Sequence, residues 1–168
     1  MSGSRPTTDD LHWMAEALQE AAQADAADEV PIGAVVVRDG ALIGRGHNAS
    51  ISLSDPTAHA EIQALRDAAR AIGNYRLVGT TMYVTVEPCL MCMGALLHAR
   101  VTRLVFGCDD PKSGAAGSLY NVTQDPRLNH QIEVTAEVGV EESRTLLQRF
   151  FRRKRGQSGL YPCDKNAL

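Results

Sequence analysis

The stretch Val84-Thr-Val-Glu-Pro-Cys-Leu-Met-Cys-Met93 constrains this chain more than any other. A β-branched apolar run stops at Glu87-Pro88, and an apolar helical run begins at Cys89. The first part reads as a strand and the second as a helix. Cys-x-x-Cys in the first helical turn puts both sulfurs on one side. Pro88 suits the boundary, because its missing N–H costs least where a helix starts. A helix N-terminus also lowers a thiol's pKa and favours the thiolate that metals need.

A second stretch, His59-Ala60-Glu61, lies thirty positions upstream of Cys89. Zinc prefers four ligands drawn from thiolate, imidazole and carboxylate. His59, Cys89 and Cys92 supply three of them, and one zinc per chain is expected. Two residues apart, His59 and Glu61 would diverge in mid-helix. They converge only over a helix end, and Pro56-Thr57-Ala58 puts them in a first turn. The fourth position then stays open for a water, whose pKa on zinc can fall to about 7. Glu61 would move protons rather than bind the metal. Two other readings stay open. Cys108 as a fourth ligand would close the site and make it structural. A redox pair is disfavoured by Pro88 and by Leu90-Met91 between the cysteines.

The remaining chain reads as a frame. Apolar positions recur at helical spacing over 9–26, with N-cap oxygens at Thr8-Asp9-Asp10. Ile32 to Arg38 and Ala41 to Gly46 form a hairpin around Asp39-Gly40. Residues 49–57 are a loop, and 58–72 a helix stopped by Gly73-Asn74. Thr81 to Val86 is a strand, Cys89 to Ala99 a helix, and Arg103 to Phe106 a parallel strand. Residues 108–130 form a long turn-rich segment. Ile132 to Val138 is a strand and Glu141 to Arg155 a helix. The sum is an α/β fold, a three-layer α/β/α sandwich with a five-stranded mixed sheet. Residues 1–156 make one domain with a flexible tip over 1–8, and 157–168 a tail.

At 168 residues, 44% apolar and 22% charged, the chain fits one globular domain. It has no apolar run long enough for a membrane span and no secretory h-region at its start. Four cysteines, two at metal spacing, favour a reducing cytoplasm. Cys108 is expected to be a small buried residue and Cys163 an exposed tail thiol. The net charge is −3, but residues 1–30 hold seven acids against Arg5 and the remainder carries +3. The run Arg152-Arg153-Lys154-Arg155 either faces a polyanion or is a solvated helix end.

The two motifs together resemble the zinc deaminase signature. The chain is similar to the cytidine/deoxycytidylate deaminase superfamily, and within it to the bacterial tRNA adenosine deaminases, from about Leu11 to Arg153. The stretches that carry the likeness include Val30–Val37, Gly46–Asn48, Asp55–Ile62, Asn74–Leu77, Tyr83–Cys92, Asp110–Ser118, Asn129-His130 and Phe150–Arg152. Lys112-x-Gly-Ala-Ala-Gly-Ser118 and Phe150-Phe-Arg152 point to the tRNA branch. The resemblance implies a cytidine deaminase-like fold and hydrolysis of the wobble adenosine of a tRNA anticodon to inosine. It implies an arginine tRNA with an ACG anticodon, and a homodimer whose RNA site draws on both subunits. By the same resemblance Asn48 binds the flipped base and Asp110 and Asn129 contact nearby RNA. Lys112, Arg152 and Arg153 meet phosphates. His47 and residues 49–54 depart from the commonest family wording.

Three functions compete at this level. The first is the tRNA adenosine deaminase. The second is a free nucleobase or nucleotide deaminase acting on guanine, cytosine or dCMP, which shares the zinc motifs but needs no basic C-terminal helix. The third is a non-catalytic, zinc-stabilised RNA-binding subunit; such subunits often lack the glutamate, which is present here as Glu61.

Overall fold

Strands and helices alternate as the periodicity predicts over residues 6–157, which the computed structural model describes. In order they are α1 (Thr8–Ala26), β1 (Gly33–Arg38), β2 (Ala41–His47), α2 (Ala60–Ile72), β3 (Thr80–Val86), α3 (Leu90–Ala99), β4 (Arg103–Cys108), β5 (Glu133–Thr135) and α4 (Val140–Gln157). Residues 1–5 and 158–168, including Cys163 and nearly all of the expected tail, lie outside the described residues.

The cap of α1 sits one residue earlier than the sequence suggests. Thr7 is the N-cap, and Asp10 is the third helical residue. Asp10 N–H donates to the Thr7 hydroxyl at 3.2 Å, and Thr7 N–H donates to the Asp10 carboxylate at 2.8 Å. This reciprocal box satisfies two otherwise orphaned donors, and it draws Thr7 and Thr8 out of the expected flexible tip.

The sheet order is β2-β1-β3-β4-β5. β1 runs antiparallel to both β2 and β3, and β3, β4 and β5 are mutually parallel. The hairpin turns at Asp39 (φ 51°) and Gly40 (φ 71°), two consecutive positive values that match a right-twisted ribbon. Ala34 and Val36 of β1 face α2 and α3, packing with Ala64, Ala68, Met93 and Leu96. Val35 and Val37 face the other way, onto Met14 and Ala17 of α1. Both faces are therefore covered, which is why β1 is an unbroken apolar run. The three-layer α/β/α sandwich with a five-stranded mixed sheet is confirmed.

β5 is shorter than the run Ile132 to Val138 predicts. The backbone turns to φ 63° at Glu137 and 68° at Gly139, and regular pairing stops at Thr135. A buried polar clamp fixes α1 across this part of the sheet. Arg103 donates to both Asp10 oxygens at 2.7 and 3.0 Å and to the Thr135 hydroxyl at 2.8 Å. The Tyr83 hydroxyl donates to Asp10 at 3.1 Å. Burial disfavours the Asp10 carboxylate, but hydrogen bonds from Arg103 and Thr7 outweigh it and bring its pKa down to about 2.

Topology then places the site. β2 and β3 are each antiparallel to β1, so they point the same way. Each leads into a helix, and both helices start at the same edge of the sheet.

Candidate metal centre and active site

His59 is the N-cap of α2 and Cys89 the N-cap of α3, each with extended backbone and neither side chain capping its own helix. Both side chains turn across the gap instead. His59 Nδ1 lies 3.7 Å from Cys89 Sγ and 3.5 Å from Cys92 Sγ. Tetrahedral zinc with ordinary Zn–S and Zn–N lengths sets that separation at about 3.6 Å. The three ligand atoms lie within 4.8 Å of one another, and they form the one such group among the described residues. One imidazole and two thiols are the donor set that zinc favours, so chemistry and spacing both fit.

The three ligand groups shift one another's protonation. Cys89 is brought down to about 4, first by the hydrogen bond from the Cys92 thiol and then, against burial, by His59. Cys92 moves strongly upward, because the Cys89 sulfur holds its proton, burial opposes charge and the Glu61 carboxyl repels it. His59 is raised by its hydrogen bond to Cys89. A thiolate, a thiol and an imidazole in contact are groups whose protons a divalent ion would displace.

Glu61 stands in the first turn of α2, 4% exposed, beside the Cys92 sulfur. Burial lifts its pKa to about 7, with the Cys89 thiolate adding to the rise and the Glu61 backbone N–H and His59 opposing it. It is not one of the three grouped ligands. It is a carboxyl poised to exchange a proton near neutrality. Cys108, the alternative fourth ligand, is buried elsewhere, with its sulfur 3.8 Å from the Thr85 carbonyl. The structure does not bring it into the trio.

The other expected residues divide by position. Asn48 is buried beside His59, and its side-chain oxygen accepts from Ala60 N–H at 2.9 Å in the first turn of α2. A cleft of about 1060 Å³ lies beyond the ends of β3 and β4, lined by Val30, Ile32, Val86, Asp110, Lys112 and Phe151 among others. It adjoins the trio rather than enclosing it; Gly114, next to this rim, bridges to Cys89. Asp110 folds its own turn, accepting from Lys112 N–H at 2.9 Å, from Ser113 N–H at 3.2 Å and from the Ser113 hydroxyl. Lys112 is exposed. Asn129 accepts from Arg100 at 2.7 Å, and Arg100 is the C-cap of α3. A ten-residue helix is about 15 Å long, so Asn129 sits at the far end of α3 from Cys89 in the same chain.

Arg152 is exposed, but Arg153 pairs with Asp25 at 2.9 Å and Asp28 at 3.6 Å. Arg149 also reaches Asp25, at 3.1 Å, and Lys154 reaches Asp28. The acidic start and basic end of the chain, separate in sequence, meet where α1 packs on α4. Two buried carboxylates stand outside the expected site residues. Glu29 accepts from Ile51 N–H, Ser52 N–H and the Ser52 hydroxyl, pinning the loop before His59. Glu87, just past the end of β3, gathers the 110–118 segment. The Pro-Cys-x-x-Cys context flags Glu87; nothing local flags Glu29.

The profile of the MafB19-like deaminase family matches residues 8–155. A tRNA-specific adenosine deaminase of Haemophilus influenzae is 52% identical over 147 residues, covering 87% of this chain and 85% of that protein. One from Bacillus subtilis is 47% identical, covering 88% and 92%. Among solved structures, one from studies of A-to-I editing by tRNA:A34 deaminases at the wobble position of transfer RNA superposes with a TM-score of 0.78. It is 46% identical and covers 81% of this chain and 99% of its own. A guanine deaminase from Bacillus subtilis is 29% identical with a TM-score of 0.59, covering 94% and 98%. Fold, site geometry and these likenesses agree: the chain belongs to the MafB19-like deaminase family, among its tRNA-specific adenosine deaminases.

Proposed function

We propose that this protein hydrolyses the wobble adenosine of a tRNA anticodon to inosine, using one zinc ion per chain. The observation that carries the reading is the His59–Cys89–Cys92 trio with Glu61 in the same helical turn, in a chain 52% identical to a tRNA-specific adenosine deaminase. The guanine deaminase likeness, at 29%, is weaker.

His59 Nδ1 and the sulfurs of Cys89 and Cys92 would hold the zinc. Bound zinc supplies Lewis acidity that brings the pKa of a water to about 7. Glu61 takes a proton from the attacking water and delivers it to the adenine ring nitrogen. As the C6–N bond breaks and C6=O forms, it takes the second proton from the same oxygen and passes it to the departing amine, which leaves as ammonia. Burial serves this role, because a carboxyl with a pKa near 7 both accepts and donates at neutral pH. The Asn48 carboxamide N–H groups meet acceptors on the flipped base while its oxygen stays on Ala60. An anticodon loop presents unstacked bases, so extruding one costs less than from a duplex.

Lys112 and Arg152, both exposed, meet phosphates. Arg153 joins them by sharing its charge between Asp25 and the RNA. Asp110 presents the turn that carries Lys112. Asn129 supports a site built from two chains, since it stands away from its own trio. The working unit is then a homodimer, and exposed Ile51, Leu53, Leu90 and Met91 offer apolar surface for it. The substrate is an arginine tRNA with an ACG anticodon. Residues 1–156 act as one deaminase domain and 157–168 as a tail. Cysteines kept for metal fit a reducing cytoplasm.

The test offers zinc-loaded protein a tRNA bearing an ACG anticodon and, separately, free adenosine, guanine, cytosine and dCMP. Ammonia release from the tRNA alone is expected. Release from a free base or nucleotide, with the tRNA untouched, overturns the reading.

A further inference from the structure

Glu87 is 3% exposed and lies two residues before Cys89. Its carboxylate accepts four hydrogen bonds, all from one distant segment. Oε1 accepts from Ala116 N–H at 2.9 Å and Ser118 N–H at 3.0 Å. Oε2 accepts from Asp110 N–H at 3.1 Å and from the Ser118 hydroxyl. The segment also touches the strand end directly: Ala115 N–H donates to the Pro88 carbonyl at 2.9 Å, and Gly114 bridges to Cys89. A Cβ on Gly114 would run into the Glu87 carboxylate, so only glycine permits this approach.

Residues 110–118 have no helix or strand beyond isolated bridges to hold them. A segment of this kind needs a fixed centre to overcome the entropy of ordering it. Charge-assisted bonds to a buried carboxylate are strong enough to provide one. The same segment carries Asp110 and Lys112 to the rim of the cleft. Glu87 therefore joins the piece of chain bearing two of the three grouped ligands to the piece lining the cleft.

We infer that Glu87 is a positioning residue: it locks the 110–118 segment to the Cys89–Cys92 turn, so that the substrate-facing groups and the metal keep one spacing. What the segment meets rests on the tRNA deaminase reading; how it is held does not. Glu87→Gln keeps the shape but puts an NH₂ group where Oε2 was. That group can donate to the Ser118 hydroxyl but cannot accept from Asp110 N–H, so that bond is lost and the others lose their charge assistance. Amide hydrogen exchange in residues 110–118 should then rise by about tenfold or more, while β1 and β3 amides are unchanged. Zinc content should hold. KM for tRNA should rise by about tenfold with kcat within about threefold. Ser118→Ala, which removes only the hydroxyl bond on an exposed residue, should shift exchange and KM in the same direction by less.

Unchanged exchange in Glu87→Gln overturns the inference. Loss of zinc, or a fall in kcat with KM unchanged, also overturns it by assigning Glu87 to the ligands or the chemistry. If Glu87→Gln does not fold, the exchange pattern of Ser118→Ala decides instead. If the wild type leaves tRNA untouched, the functional reading fails and exchange still decides the role of Glu87.

Discussion

Glu61→Gln separates chemistry from structure at one buried atom pair. The substitution preserves size and removes the proton acceptor. Glu61 is not one of the three grouped ligands, so zinc content and tRNA affinity should persist. General acid–base groups contribute about 10²–10⁴-fold, and one residue serving both proton transfers belongs at the upper end. Inosine formation should fall by at least about 10³-fold. The structure adds a second arm with the opposite sign. Burial raises the Glu61 pKa from 4.5 to about 7 in the metal-free protein. A raised carboxyl pKa means that the folded state binds more protons than the unfolded state between those values. Stability is therefore lost as pH rises from 4.5 to about 7. At about 1.4 kcal/mol per pH unit, the penalty above pH 7 is about 3 kcal/mol. Metal-free Glu61→Gln should be more stable than metal-free wild type at pH 8, by up to that amount, and equal to it near pH 4. Turnover and urea unfolding of chelated protein read the two arms. Near-normal turnover, loss of zinc, or a less stable metal-free variant at pH 8 would refute the reasoning.

Other expectations follow from the same geometry. His59→Ala, Cys89→Ala and Cys92→Ala should each lose zinc by metal analysis, whereas Cys108→Ser should keep it, because its sulfur faces Thr85. Arg152→Ala should lower the log–log salt slope of tRNA binding by about 0.7–0.9. Asp25→Asn should steepen that slope by releasing Arg149 and Arg153; an unchanged slope in both variants would leave the end of α4 as a solvated terminus. Asp10 is held at about 2 against an ordinary 3.8, so its contribution to stability is present above pH 4 and lost as pH falls through 2. That contribution is about 2 kcal/mol, and Asp10→Asn should flatten the acid limb of a stability–pH curve while lowering stability at pH 7.

The readable features were local ones. Asp39-Gly40 specified its own turn, and the apolar alternation of β1 and β3 specified buried strands. Pro88 and the spacing of Cys89 and Cys92 specified a helix start with two sulfurs on one side. Even the condition that His59 and Glu61 lie over a helix end followed from their two-residue spacing. What stayed hidden depends on partners far along the chain. Asp10 meets Arg103 across 93 residues, Glu87 meets Ser118 across 31, and Arg153 meets Asp25 across 128. No periodicity reports such pairings, because burial of a carboxylate is decided by whichever donors the fold brings to it. The early end of β5 was hidden for a related reason: positive φ at Glu137 and Gly139 breaks the pairing, while the apolar pattern runs on to Val138.

The most direct test resolves the product by position. Zinc-loaded wild type is incubated with an anticodon stem-loop bearing ACG, and each adenosine is read for conversion to inosine by sequencing. Conversion should occur at the first anticodon position alone, and Glu61→Gln should abolish it with zinc retained. No inosine at that position from zinc-loaded wild type, or conversion spread over adenosines elsewhere in the loop, would contradict the assignment of this site to the wobble base.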